Sequence, residues 1–145
     1  MVLRGKDLDP EAVTACLGIS PTWRRRRGEA RRITETWRHG FWELESSAHV
    51  QSEDLAEHLR WVADQIEPVA HTLSRFLAGS GTEMEIRCAW MFPGANGFTL
   101  SALLLERIAA LGLPLVVSAY CEEYLGDTTT TAAARADATD DDGLT

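Results

Sequence analysis

Arginine is the residue type that stands out in this 145-residue sequence. A guanidinium group binds a phosphate or a carboxylate through two parallel hydrogen bonds, and Trp23 beside the arginines can stack on a flat ligand. The segment predicts a binding site for an anionic small ligand or an acidic protein surface. The alternative is a solvated loop whose charge is neutralised by the acidic remainder of the chain. Six arginines fall within nine positions, namely Arg24, Arg25, Arg26, Arg27, Arg31 and Arg32.

Tryptophan is also frequent for a chain of this length, and two of the five tryptophans flank the arginine segment. These two are Trp23 and Trp37. Tryptophan and arginine are both enriched at protein interfaces, but aromatic side chains also anchor loops onto a small core. The sequence leaves both interpretations open.

Two carboxylates, Glu43 and Glu45, belong to a segment in which apolar and polar residues alternate, which predicts a strand at residues 41–45. Alternate residues of a strand share a face and lie about 7 Å apart, a separation at which two carboxylates can divide acid and base roles. No cleft signature accompanies the pair, so the pattern favours the solvated face of a half-buried strand. Together with Glu85 and Arg87 of a later strand, they make a second candidate surface for a partner.

The sequence has no motif for metal, cofactor or nucleophile chemistry. Its four histidines form no H-x-x-x-H pair, and its three cysteines form no C-x-x-C pair. It also lacks a phosphate-binding glycine loop and a G-x-S-x-G nucleophile turn. We therefore expect no cofactor, no metal site and no catalytic residue.

Charge and hydropathy restrict the partners. The net charge of -8 and the pI of about 4.9 argue against a nucleic-acid binder. No apolar run approaches the length of about 20 residues that a membrane helix requires. The first residues lack the apolar stretch of a signal peptide, which gives a cytoplasmic expectation.

Three regions carry helix signals. Asp9 is a natural N-cap, and Gly18 suits the left-handed position that ends a helix. An apolar stripe of helical period covers residues 55–77 after an N-cap at Ser52, and Pro68 either kinks this helix or starts a second one. A further helix lies at about residues 103–111.

Strand signals alternate with these helices. We expect strands at residues 84–92 and 115–121, an edge strand at residues 2–4, a loop at residues 20–40 and a turn at residues 93–97. The half-polar strands predict an α+β fold, a two-layer sandwich with helices on one face of a mixed or mostly antiparallel sheet of about four strands, partly ferredoxin-like. This single domain covers residues 1–125, and the acidic, low-complexity residues 126–145 are expected to be disordered.

Several short motifs together resemble a bacterial family catalogued as domain of unknown function 4279, over about residues 2–121. The resemblance implies no catalytic residues, and small domains of such families are similar to immunity proteins that neutralise toxins. The motifs are Gly5-Lys6-Asp7-Leu8-Asp9-Pro10-Glu11, Leu17-Gly18-Ile19-Ser20-Pro21-Thr22, Arg27-Gly28-Glu29, Trp42-Glu43-Leu44-Glu45-Ser46 and Leu111-Gly112-Leu113.

The sequence thus predicts a small, non-catalytic protein-binding module, of which an immunity protein is one form. The alternative is an enzyme or small-ligand domain in which Arg24 to Arg27 hold a phosphate or carboxylate. The oligomeric state is left open by the sequence.

Overall fold

The computed structural model describes residues 1–78, 80–92 and 97–121. The predicted disordered tail and most of the predicted turn at residues 93–97 therefore lie outside the described residues. The strands are β1 Val2–Gly5, β2 Trp23–Arg25, β3 Ala30–Arg32, β4 Glu35–Thr36, β5 Gly40–Glu43, β6 Glu83–Phe92 and β7 Leu115–Cys121. The helices are α1 Pro10–Leu17, α2 Leu55–Ile66, α3 Ala70–Leu77 and α4 Ala102–Ala110, with a 3-10 turn at Glu67–Val69.

Five of these strands form one mixed sheet in the order β2-β5-β1-β6-β7. β1 is antiparallel to both of its neighbours, β2 is antiparallel to β5, and β6 is parallel to β7. β3 and β4 form a separate antiparallel pair. The predicted α+β fold with a mixed sheet is confirmed, and the sheet has five strands where about four were expected.

The helices cover one face of the sheet, and the core lies between the two layers. Leu3 of β1 lies opposite Trp42 of β5 and Met84 of β6, so these side chains share the helix-covered face. Leu3 and Trp42 are both 0% exposed and pack with Val13 of α1 and other helix residues. The indole N–H of Trp42 donates to Thr14 Oγ1 at 3.0 Å, which satisfies the polar atom of this buried ring.

Two strand predictions are wrong. β1 is the central strand rather than an edge strand, because it pairs with β5 on one side and with β6 on the other. A segment of three residues carries no local signal of how many strands pair with it. The predicted loop at residues 20–40 contains β2, β3 and β4, since the arginine run hides the alternation by which a strand is recognised.

The helix ends follow local chemistry. Asp9 caps α1 by accepting from Glu11 N, and Gly18 ends it at φ 67°, as predicted. The N-cap of α2 is Asp54 instead of Ser52, because the Asp54 carboxylate accepts from Ala56 N at 2.9 Å. Pro68 starts a second helix, since α2 ends before the 3-10 turn that contains it.

Gly40 supplies a stability test of this packing. A Cβ atom built on Gly40 would lie 2.0 Å from the carbonyl oxygen of Leu8, so either β5 or the turn after β1 must move to accept it. We expect Gly40→Ala to lower the free energy of unfolding by about 3 kcal/mol, measured by urea denaturation. Gly97→Ala is the control, because its Cβ meets no atom within 4 Å, and it is expected to change stability by less than about 0.5 kcal/mol. Equal effects of the two substitutions would contradict the tight contact.

Candidate functional site

Three of the consecutive arginines form ion pairs with acidic residues of the loop before α1 and of its first turn. Arg24 pairs with Glu11, whose other oxygen accepts from Arg26 Nε at 2.7 Å. Arg27 lies 3.4 Å from Asp7. All three arginine side chains remain about half exposed, so each pair contributes less than about 1 kcal/mol to stability. An incoming phosphate or carboxylate would nevertheless have to displace a carboxylate that is already in place.

The fourth arginine, Arg25, is a packing residue of the outer sheet face, the face opposite the helices. It is only 4% exposed, and three aromatic rings, the aromatic box of Trp23, Trp37 and Phe41, surround its guanidinium group. The guanidinium carbon lies 3.4 Å from the ring centroid of Trp37 and 4.9 Å from that of Trp23. A desolvated cation–π contact is worth about 2 kcal/mol, so the box stabilises the buried charge.

The aromatic box packs the segment between β2 and β5 against the outer face of the sheet. The backbone N–H of Trp37 donates to the Glu29 carbonyl at 2.9 Å, and Gly28 N donates to the Trp37 carbonyl at 2.8 Å. The guanidinium carbon of Arg31 lies 4.7 Å from the ring centroid of Trp37. The structure therefore brings Trp23, Trp37 and Arg25 together. This is the arrangement expected if the aromatic side chains anchor a loop onto the domain. The binding role proposed for these residues stays a prediction.

The predicted carboxylate pair is divided by the end of β5. Glu43 lies on the outer sheet face opposite Val2, while Glu45 follows the strand, and its backbone N–H donates to Thr22 Oγ1 at 2.9 Å. The buried amino group of Met1 donates to the Leu44 carbonyl at 2.7 Å. Burial lowers the pKa of this amine from its usual 8.0, and the nearby carboxylates, Glu43 first, partly oppose that shift.

Ion pairs between neighbouring side chains lie on the outer sheet face at β1 and β6. Glu85 and Arg87 pair along β6, and Arg4 of β1 donates to Glu83 at 2.8 Å. These four side chains line a surface depression of about 410 Å³ whose floor includes Val2 and Phe41. The predicted partner surface of Glu43, Glu85 and Arg87 is thus one face, but Glu45 lies beyond the end of its strand.

A serine–histidine pair was not found by sequence reasoning. Ser46 Oγ lies 2.9 Å from His58 Nδ1, and His58 Nε2 lies 2.7 Å from the carbonyl oxygen of Ser52. The carbonyl can only accept, so Nε2 carries a hydrogen, and in the neutral ring Nδ1 accepts from the Ser46 hydroxyl. This geometry resembles a nucleophile and its base. These four polar atoms, however, hold the loop before α2 on that helix. Neither Ser46 nor His58 lines the 410 Å³ depression.

Metal-ligand clusters and membrane-spanning helices were the two remaining kinds of feature considered for the described part of the chain. Across residues 1–78, 80–92 and 97–121, no group of three histidine, cysteine or acidic side chains is placed to hold a metal ion. Over the same residues, none of the helices combines the length and the apolar character that a membrane span requires.

Exposed apolar residues concentrate on the last third of the domain. Of the large apolar side chains that the structure describes as exposed, the two in the first half of the chain are Trp23 and Ile33, and the others lie between Met91 and Tyr120. Tyr120 of β7 is 48% exposed and its ladder partner Met91 of β6 is 56% exposed. Next to this end of β6, Trp90 stacks on Phe92 and meets Phe98 edge-on at 5.1 Å.

The edge of β7 that faces away from β6, its free edge, carries backbone groups that pair with no other described strand. Ile86 lies opposite Leu115, and its N–H donates to the Pro114 carbonyl at 2.9 Å. In a parallel ladder, the N–H and C=O groups of successive residues point alternately to opposite sides. The groups of residues 116, 118 and 120 therefore face β6, and those of residues 115, 117, 119 and 121 face away from the sheet. Within the described residues, no strand lies beyond β7.

The two edges of the sheet differ in how they are protected. β2 has three residues, two of them arginines, and short charged strands discourage further pairing. β7 has seven residues, Leu-Val-Val-Ser-Ala-Tyr-Cys, with no charge, proline or glycine. The sequence predicts β7 as a strand but contains no local signal of its edge position, because strand order is set by tertiary pairing.

The different roles of Arg25 and Arg24 can be tested by stability. Arg25→Ala removes the cation from the aromatic box and leaves a buried void, so we expect a loss of about 3 kcal/mol in the free energy of unfolding. Arg24→Ala removes an exposed ion pair and is expected to cost less than about 1 kcal/mol. Urea denaturation measures both. A loss for Arg24→Ala as large as that for Arg25→Ala would contradict the assignment of Arg25 as the packing residue.

Comparison with known proteins places the chain in a family. No curated protein and no solved structure matches it. One family model, described as Domain of unknown function (DUF4279), matches residues 1–122, which includes every strand and helix of the structure. The resemblance seen in the short motifs is thereby confirmed, and the chain belongs to the DUF4279 family.

Proposed function

We propose that this chain is a non-catalytic protein-binding module and that its partner binds along the free edge of β7. The observation that carries this proposal is the contrast between the two sheet edges. β2 is short and charged, whereas β7 is long, uncharged and exposed, with outward N–H and C=O groups at residues 115, 117, 119 and 121. An extended segment of another protein that adds to such an edge gains main-chain hydrogen bonds.

The neighbouring side chains support the same surface. Val116 and Tyr120 on one face of β7, and Val117 on the other, are more than one-third exposed. Trp90, Phe92 and Phe98 add an aromatic group at the end of β6. Aromatic side chains carry much of the binding energy in protein interfaces. A module of this kind neutralises a toxin by covering it, which is the bacterial, cytoplasmic immunity-protein form of the proposal.

Ionisable groups elsewhere support a non-catalytic role. Arg24, Arg26 and Arg27 are in ion pairs with carboxylates, and Ser46 and His58 hold a loop. An enzyme needs such groups directed at a substrate in a cleft. The geometry therefore supports binding better than it supports the anionic-ligand alternative.

Photocrosslinking tests the proposed surface. p-Benzoylphenylalanine in place of Tyr120, at the exposed edge, is expected to give one discrete crosslinked partner in native cell extract. The same residue in place of Glu57, which is exposed on α2, is the control and is expected to give no such product. Identical products from the two positions, or none from position 120, would overturn the proposal.

A proline pair separates edge binding from folding. Val117→Pro removes an outward N–H, and proline is tolerated on edge strands at such positions, so we expect near-native stability and loss of the position-120 crosslink. Ser118→Pro removes an N–H that faces β6, and is expected to destabilise the fold by at least about 2 kcal/mol more than Val117→Pro. Urea denaturation measures the stabilities. Retention of the crosslink in folded Val117→Pro would contradict pairing along this edge.

A further inference from the structure

The free edge of β7 is complementary to itself, so a second copy of the chain fits it. This step rests on the proposed function, because it takes the β7 edge as the binding surface. We infer that, when the partner is absent, two copies pair their β7 strands antiparallel about a two-fold axis at Ser118 and join their five-stranded sheets into one. The partner then competes with the second copy for the same backbone groups, and dissociation of the dimer controls access to the edge.

The backbone of β7 selects this axis. A two-fold axis at residue 118 brings residue 115 of one copy opposite residue 121 of the other, and residue 117 opposite residue 119. All four have N–H and C=O groups that point away from β6, and two such residues opposite each other in an antiparallel ladder exchange both of their hydrogen bonds. An axis at any other residue of β7 leaves at least one outward residue beyond the end of the opposite strand. The axis at Ser118 therefore pairs the whole outward row of both copies.

The side chains of the outer sheet face match in the same register. Val116 lies opposite Tyr120 of the second copy, and Ser118 lies opposite its own equivalent. Val116 and Tyr120 are both exposed in the single chain. Cross-strand pairs of an aromatic with a β-branched side chain, and of two hydroxyl groups, stabilise a sheet. β7 has no charged residue, so no like charges meet along the strand pair.

The crossover helix α4 adds a second contact above the strand pair. Leu104 of α4 packs in the core with α2 and the central strand β1, and Arg107 is ion-paired to Asp64 of α2. At 3.6 residues per turn, Leu105 lies nearly opposite Arg107 around the helix. The flank that carries Leu105 therefore points away from the sheet centre and beyond β7, where α4 of the second copy would meet it. The exposed apolar residues of this flank are Ala102, Leu105 and Ala109.

The size of this contact predicts a weak dimer. A strand of the length of β7 is about 23 Å long and a helix on a sheet is about 20 Å high, so each copy offers about 450 Å² to the other. Standard stable interfaces bury about 800 Å² on each partner. Each copy also carries a net charge of -8, and like charges oppose association until salt screens them. We therefore expect a reversible dimer that NaCl strengthens and that a partner strand displaces.

Charges at the two-fold axis test this dimer in the full-length protein. Ser118→Asp places two carboxylates opposite each other, and Ser118→Lys places two ammonium groups there. Sedimentation velocity measures association at protein concentrations up to about 500 μM, the range that a small interface requires. We expect the unaltered protein to dimerise, each variant to raise the dimer dissociation constant at least about tenfold, and an equimolar mixture of the two variants to restore the dimer.

The two variants also separate the strand pair from general repulsion. Ser118→Lys makes the net charge less negative, so repulsion between whole copies alone would strengthen its dimer. Glu57→Lys makes the same kind of change on the exposed face of α2, and is expected to keep the dimer. Urea denaturation checks that all variants remain folded.

A cysteine at the axis tests the register. Opposite residues of a non-hydrogen-bonded pair have Cα atoms about 4.5 Å apart, within the range that a disulfide spans, so Ser118→Cys is expected to form a disulfide-linked dimer on mild oxidation. Val116→Cys is the control, because the two residues at position 116 would lie about 14 Å apart. The unaltered protein gives the background from its three native cysteines.

Other results overturn the inference. A monomer at every concentration, or an unchanged dimer in Ser118→Asp and Ser118→Lys, would reject pairing of the edges, and a disulfide from Val116→Cys instead of Ser118→Cys would reject this register. At the low protein concentration of a cell extract, the weak dimer is dissociated by mass action, so the position-120 crosslink there reports the partner. That crosslink together with a monomeric purified protein would leave the proposed function intact and reject only the dimer. A Ser118-dependent dimer without the crosslink would support the dimer and reject the proposed function.

Discussion

An open β-sheet has two outer strands, and each leaves a row of N–H and C=O groups that the sheet itself does not satisfy. In this molecule the two outer strands, β2 and β7, differ in length and in charge. β2 is reduced to three residues, and its Arg24 is in an ion pair with α1. β7 keeps seven uncharged residues beside the longest strand of the sheet. The asymmetry of these edges, rather than any cluster of reactive groups, is the feature on which the functional interpretation depends.

Charge is also distributed unequally between the two halves of the chain. The arginines near β2 lie beside Asp7, Asp9 and Glu11, which come from the loop and helix that follow β1. Their positive charge is therefore matched locally by residues of the same half of the chain. The acidic residues of the second half have far fewer cations near them in sequence, and β7 lies in that half. A basic run that looks like a binding site in the sequence is, in the fold, a set of side chains of which Arg24, Arg26 and Arg27 are paired with carboxylates.

Local patterns explain how much of this fold was predictable. The caps of α1 at Asp9 and Gly18, the strand around Trp42 and the limits of β7 all follow from residues close to one another in sequence, and these predictions are confirmed. The central position of β1 and the strand character of residues 23–25 depend on pairing with distant residues, which no short pattern reveals. The same holds for the Ser46–His58 contact and for the exposed edge of β7. An expectation based on residue type directed attention to the arginines, whereas the candidate surface consists of backbone groups and ordinary apolar side chains.

The parallel pairing of β6 and β7 has a mechanical consequence for binding. Parallel neighbours require a crossover connection, and α4 supplies it on the helix-covered face of the sheet, where Leu104 and Ile108 enter the core. Arg107 of α4 donates to Glu67 at 2.7 Å and also pairs with Asp64 of α2, so the crossover helix is joined to the body of the domain. β7 is thus fixed along one side by its pairing with β6. The start of β7 is fixed by α4, which is ion-paired to the rest of the domain. A partner strand of the kind proposed would meet an edge that is already ordered, and the entropy cost of binding would then fall mainly on the partner.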